Sequence, residues 1–284
     1  MQLSQAQFDA LRDSMDAVPT AASSVIESKR YEWTDDAPAA SDYADVPGEP
    51  VKTIVSHAAH ALTVGADHLA GLRRVLQSPV MTIAPWTLAR GNLEACSLLL
   101  WLLEDGLTAS DRIGRSLSIR IQNLRDQRVW SGEHGTAGEE PQAAARQRTD
   151  EVAEQARTMG LEVRRAKNGE VIGFPTGLPG FVELARRAGY APEYRLFSGA
   201  AHGRFWATTQ LGFRRSGRNA LEQDMTPEAA IYVLTVSLEL WLKAAAALSL
   251  YQGWDLNEIG TALDPLLDSA GLSSGMRPWR NSAP

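Results

Sequence analysis

The sequence predicts an all-α protein, a bundle of four to five main helices with short accessory helices and an ordered loop insertion. Three observations carry that expectation. Apolar residues recur at helical spacing along several long stretches, as with Ile54, Ala58, Leu62, Leu69, Leu72 and Leu76 between residues 51 and 77. Breaks bearing proline and glycine, "SPVMTIAP" and "SGEHGTAGEEP", separate those stretches. A long apolar run, "AAIYVLTVSLELWLKAAAALSLY", extends from Ala229 to Tyr251.

Residues 4–18 read as a short amphipathic helix with Phe8, Leu11 and Met15 on one face. The stretch "TDDAPAASDYADVPGEP" (34–50) is acidic and rich in proline and alanine, and reads as an exposed linker. Pro50 can open the first main helix, at 51–77, and proline also stands in the first turn of the second, from about Pro85 to Glu104. Ser110 is placed as the N-cap of a third helix, about 111–130, whose apolar face is Ile113, Leu117, Ile121 and Leu124. Residues 142–159 read as a largely solvent-facing helix. The stretch 164–180, with its Asn168-Gly169 turn signal, reads as a small hairpin or an ordered loop. A short helix at 181–188, a helix around 194–206 and the loop "LGFRRSGRN" follow. Thr226, Pro227 and Glu228 begin the long apolar helix, and an amphipathic piece covers 255–269. The expected organisation is an N-terminal helix and acidic linker (1–50), a helical-bundle domain (51–270) with an insertion at about 132–180, and a flexible tail (271–284).

The run from Ala229 to Tyr251 is long enough for a membrane span. Glu239 and Lys243 stand i, i+4 near its middle, however, and no basic flank orients it. A buried core helix carrying one ion pair is expected, with no membrane. The 284 residues are 44% apolar and 22% charged, as in ordinary globular proteins. The single cysteine, Cys96, excludes a disulfide framework or a cysteine-rich zinc site within the chain. It lies in "EACSLLLWLL" and is expected to be a buried, inert thiol. The amino terminus has neither a basic region nor an apolar core, so no signal peptide is expected. With that cysteine usage, a cytoplasmic location is expected.

The net charge of −6 is unevenly spread. Residues 1–50 hold ten acids against Arg12, Lys29 and Arg30, whereas residues 186–218 hold seven arginines and only Glu193 as an acid. Such a basic cluster can meet phosphates.

Four helices carry polar groups in helical register. His57, His60 and His68 lie within about 80° of one another on the first, with Asp67 near the edge. Arg90 and Glu94 form an i, i+4 pair on the second. Asp111, Arg115, Ser118, Gln122 and Arg125 line the third, most simply as its solvated face. Arg195, Ser198 and His202, within "YRLFSGAAHGRFW", form the fourth stripe. Its small residues would let another helix approach closely. A histidine beside an arginine there suits general acid–base work near a phosphate, including attack by an RNA 2′-hydroxyl without a metal. Two other uses stay open. The histidines with Glu94 can make an internal metal or small-molecule site from His57, His60, His68, Glu94 and His202, although the Glu-x-x-His motif of bundle metal sites is absent. The stripes can also serve only packing, in a non-catalytic interaction protein.

The spacing of Arg195 and His202, R-x6-H on a late helix of an α-bundle, resembles the HEPN superfamily (higher eukaryotes and prokaryotes nucleotide-binding). The resemblance implies a metal-independent endoribonuclease or a defence or toxin-type effector. It implies no cofactor, RNA as substrate, a homodimer facing a shared cleft, and a cognate antitoxin or other protein as partner. Arg195 would engage the phosphate, His202 would transfer the proton and Ser198 would support them. Members commonly carry a polar residue after the arginine, where this chain has Leu196. The wider pattern "ADHLAGL", "TLARGNLEACSLLLWLLE", "DRIGRSL" and "YRLFSGAAHG" is similar to a group of helical actinobacterial proteins without known activity. That similarity implies that His68, Arg90, Glu94, Arg115 and His202 converge on one bundle interior, where His68, Arg90, Glu94 and Arg115 would bind substrate.

Overall fold

The computed structural model describes residues 4–271 apart from 30, 78–79, 212, 217–219 and 224. It is all-α, with two small hairpins as the described strands. The core is built on α3 (Glu49–Val75), α4 (Ala84–Leu102) and α10 (Pro227–Gln252), which pack against one another. Every core position expected on α3 is buried: Ile54, Ala58, Leu62, Leu69, Leu72 and Leu76. On α10, the Trp241 indole is fully enclosed and donates to the Leu62 carbonyl at 3.0 Å, tying that helix to α3.

Helix α10 starts where Thr226 accepts from the Ala229 N–H at 3.2 Å and Pro227 takes a first-turn position. It ends at Gly253, whose φ of 72° is left-handed and whose missing Cβ leaves room for Thr34. Its length and composition would pass for a membrane span, yet most of that window is buried against protein. The Glu239–Lys243 pair forms at 2.8 Å on its more exposed face, and Lys243 also donates to the Tyr190 hydroxyl at 2.9 Å.

Helix α1 (Gln5–Ser28) is longer than the sequence suggested, because Val18, Ala22 and Ile26 continue the buried face begun by Leu11 and Met15. Pro19 lies within it. The helix packs on α3, α10 and α11 (Leu256–Ser269), so it belongs to the core rather than hanging outside it.

The acidic 34–50 stretch is also corrected. It contains α2 (Pro38–Asp45), whose Asp42 is 1% exposed. Arg112 of α5 (Ala109–Gly132) forks onto that carboxylate, with Nε to Oδ2 at 2.6 Å and Nη2 to Oδ1 at 2.9 Å. The Tyr251 hydroxyl donates to Oδ2 at 3.0 Å.

Helix α5 begins two residues earlier than Ser110 implied. Thr108 caps it, accepting from the Asp111 N–H while Asp111 accepts from the Thr108 N–H, both at 3.1 Å. The insertion comprises a 3₁₀ turn (Gly135–Gly138), α6 (Glu139–Thr158) and an antiparallel pair, β1 (Arg164–Arg165) with β2 (Val171–Gly173). Ala145, Val152, Ala153 and Ala156 are buried on α6, which packs on α5. Helices α7 (Phe181–Arg187) and α8 (Ala191–Ala201) pack on α4, and α9 (Phe205–Leu211) packs on α8. A second antiparallel pair, β3 (Phe213–Ser216) with β4 (Ala220–Gln223), occupies part of the stretch read as a loop. Residues 272–284, expected as a flexible tail, lie outside the described residues.

Candidate functional site

Arg90 and Glu94 stand one turn apart on α4, and α8 brings two more polar groups to them. Arg90 Nε donates to Glu94 Oε1 at 2.8 Å, and its Nη1 meets His202 Nε2 at 3.1 Å. Arginine can only donate, so His202 accepts at Nε2 and as a neutral ring carries its proton on Nδ1. The Tyr194 hydroxyl donates to the same Glu94 oxygen at 3.3 Å, and its ring lies under the guanidinium, 5.8 Å from centroid to Cζ. Both Glu94 contacts fall on Oε1. Oε2 has no hydrogen-bond partner among the described residues. The Arg90 and Glu94 side chains are only 24% and 22% exposed, so this is not a freely solvated helical pair. Burial works against the Arg90 charge, but Glu94 and Tyr194 outweigh it and hold the guanidinium protonated.

His202 owes its place to the end of α8. Gly203 turns the chain at φ 64°, and the N–H groups of Gly203 and Arg204 fold back to Ala200 and Gly199 at 2.9 and 2.8 Å. Gly199 lies beneath α9, where a Cβ would fall 2.8 Å from that of Ala207. The small residues of "FSGAAHG" do admit a neighbouring helix, and it is α9.

The helix stops before His202, whose backbone at φ −92° and ψ 11° is a cap, so the ideal i, i+7 stripe does not run through. Arg195 is exposed and has no polar partner among the described residues, and Ser198 is half-buried. Leu196 packs against the core. Arg204 is exposed beside His202, next to Phe205 (71% exposed) and Trp206 (50%).

Glu94 also lines a cleft of about 290 Å³ between α3, α4 and α5, to which Phe181 of α7 contributes. Ala61, Val64, Ala95, Leu98 and Ile119 make its apolar walls; His57, His60, His68 and Asn123 join Glu94 as its polar ones. The ring of His68 lies against Gly91, where an added Cβ would come 2.3 Å from Nε2. Burial lowers the His68 pKa against the pull of Asp67 and Glu94. His57 Nδ1 pairs with Ser116 Oγ at 3.0 Å. Burial, helped by Arg120 and His60, pushes the His57 pKa down to about 4.

The sign of that shift makes a prediction. An unfolded His57 titrates near 6.5 and the folded one near 4, so between those values the unfolded chain binds the extra proton. Stability contributed by the neutral ring is therefore present above pH 6.5 and lost as pH falls towards 4. Thermal melts across that window will show a shallower acid loss for His57→Gln than for the unaltered chain. Equal slopes would contradict it.

Three of the four histidines named from sequence thus share the cleft with Glu94, whereas Arg90 lies between His202 and Glu94. Among the described residues no three histidine, cysteine or acidic side chains are placed to hold a metal ion, so the geometry lends no support to the metal set His57, His60, His68, Glu94 and His202. Arg115 does not join the network of Arg90 and Glu94. It is buried, donates to the Trp101 carbonyl and to Glu104 Oε2 (2.7 Å), and stacks 4.9 Å from the Trp101 ring. Ser118 is buried too, bonded to the Gly114 carbonyl at 2.8 Å, so the third stripe meets solvent at Asp111, Gln122 and Arg125 but not between them. Cys96 is fully buried and its thiol pKa is raised by that burial, as expected of an inert thiol.

Sequence reasoning missed Tyr194, Ser116, Gly91 and Phe181. Tyr194 offered a signal: it shares the buried side of α8 with Phe197, and a buried phenol needs a polar partner. The others become visible only once helices far apart in sequence are packed. No family model, curated protein or solved structure matches the chain.

Proposed function

We propose that the chain is a HEPN-like endoribonuclease that works without a metal, with His202 as proton acceptor and Arg90 and Arg195 as phosphate ligands. The observation that supports this most is the exposed His202 at the end of α8, with Nε2 held 3.1 Å from the Arg90 guanidinium. A phosphate oxygen entering between them takes the Arg90 donor and frees the Nε2 lone pair. The 2′-oxygen of RNA then bonds to phosphorus while its proton passes to Nε2. The bond from phosphorus to the 5′-oxygen breaks, and that oxygen takes a proton from water. Arg90 and Arg195 offset the charge that builds on the other phosphate oxygens. Ser198 supports the turn from which His202 projects.

Exposed Phe205 and Trp206 beside Arg204 offer flat faces and positive charge, a combination that suits single-stranded RNA. In this reading the protein acts as a cytoplasmic homodimer and is restrained by a cognate antitoxin.

The test uses an oligoribonucleotide and the same strand with one 2′-deoxy nucleotide, both in chelator. Cleavage at every ribose linkage except the one lacking its 2′-hydroxyl is expected. Cutting of the deoxy linkage at the ribose rate, or no cutting of either strand, contradicts the proposal.

A further inference from the structure

We infer that the cleft between α3, α4 and α5 is a base-binding subsite, taking a planar nitrogen heterocycle of nucleobase size whose N–H donates to Glu94 Oε2. Heterocycle binding stands on the cleft alone; its role in choosing the RNA base rests on the ribonuclease reading above.

Size comes first. About 290 Å³ lies at the lower limit of organic-ligand sites, which run from about 300 to 1,000 Å³, so the occupant is small. Its shape follows from Ala61 and Ala95, whose short side chains open the walls, and from Phe181, 44% exposed and available to stack on a flat ring.

Polarity narrows the chemistry. Glu94 Oε1 is already held by Arg90 and Tyr194, whereas Oε2 is unpartnered among the described residues, and Glu94 lines a cleft whose walls are largely apolar. That free oxygen can accept a hydrogen bond from a ligand N–H. His57 and His68 stay neutral at neutral pH; the His68 ring carries one donor and one acceptor, whereas His57 has only Nε2 left, its Nδ1 being paired with Ser116 Oγ. A nucleobase edge has that mixture of N–H and acceptor groups. Phosphate does not, and the Glu94 charge opposes its entry. Gly91 is part of the construction, because only a residue without Cβ lets the His68 ring lie against α4 there.

Arg90 links this cleft to His202. Its Nε holds the carboxylate of the base site and its Nη1 faces the histidine of the proposed phosphate site. Base and scissile phosphate would therefore sit at opposite ends of one guanidinium.

The probe is 2-aminopurine, followed by its fluorescence, as the free base and within an oligoribonucleotide. Saturable quenching of the free base is expected in the unaltered chain and in His202→Ala, with displacement by adenine. Loss of one charge-assisted hydrogen bond weakens it about tenfold in Glu94→Gln. Ala95→Phe fills the cleft and weakens both the free base and the oligonucleotide, with circular dichroism confirming that each variant folds. No saturable quenching at millimolar probe, no displacement by adenine, or equal affinity in well-folded Glu94→Gln and Ala95→Phe would overturn the inference. Base binding without RNA cleavage would remove the ribonuclease reading and leave the heterocycle site standing. Cleavage without base binding would do the reverse.

Discussion

Replacing Asp42 with alanine will cost the protein about 3–5 kcal/mol of folding stability, the range for breaking one side of a buried ion pair. Arg112 is 8% exposed and makes a two-point contact with the Asp42 carboxylate. Burial opposes its charge, and Asp42 offsets that penalty through hydrogen bonding and charge. Tyr251 loses its acceptor in the same substitution. Burial, followed by the Asp42 charge, raises the Tyr251 pKa, so the hydroxyl is a neutral donor in the unaltered chain. Urea denaturation will report the loss as a lower midpoint. Replacing both Asp42 and Arg112 with leucine will recover much of it, since a paired apolar replacement leaves no buried charge. A loss below about 1 kcal/mol for Asp42→Ala, typical of an exposed pair, would contradict the account.

The second large effect is on activity. His202→Ala will slow RNA cleavage by about 10²–10⁴-fold, the usual contribution of a positioned acid–base group. Stability will hardly move, because His202 is exposed and loses one bond to an arginine that keeps Glu94. That separation distinguishes a chemical role from a packing role. Were His202 only a helix cap, which it forms through its backbone N–H, the substitution would leave both the melt and cleavage unchanged.

The fold was legible because local pattern and burial agree on the main helices. The apolar faces of α3 and α5 are the ones read from helical spacing, and the proline starts of α4 and α10 stand near their expected positions. Asp42 shows where composition misleads. An acidic, proline-bearing stretch has the appearance of a linker, and it takes Arg112, seventy residues away, with Tyr251 to make its carboxylate tolerable in the interior. Ser110 shows a finer failure, since Thr108 and Asp111 together form a better cap than one serine.

The candidate site was half legible. Arg90 and Glu94 announced themselves as polar residues in an apolar run, and helical rotation grouped His57, His60 and His68. The periodicity argument failed at His202, because Gly203 ends the helix and the imidazole leaves the Arg195 stripe to meet Arg90 from another element. Arg115 failed for the opposite reason. Its register was right, but a cation beside Trp101 and the end of α4 finds its partners there.

The central claim, that His202 performs proton transfer on RNA without a metal, is tested most directly by one comparison. The unaltered chain and His202→Ala are incubated with RNA in excess chelator, and initial cleavage rates are compared. The account predicts cleavage by the unaltered chain, ending in 2′,3′-cyclic phosphates, and a variant slower by about 10²-fold or more. Cleavage abolished by the chelator, or equal rates for the two proteins, would contradict it.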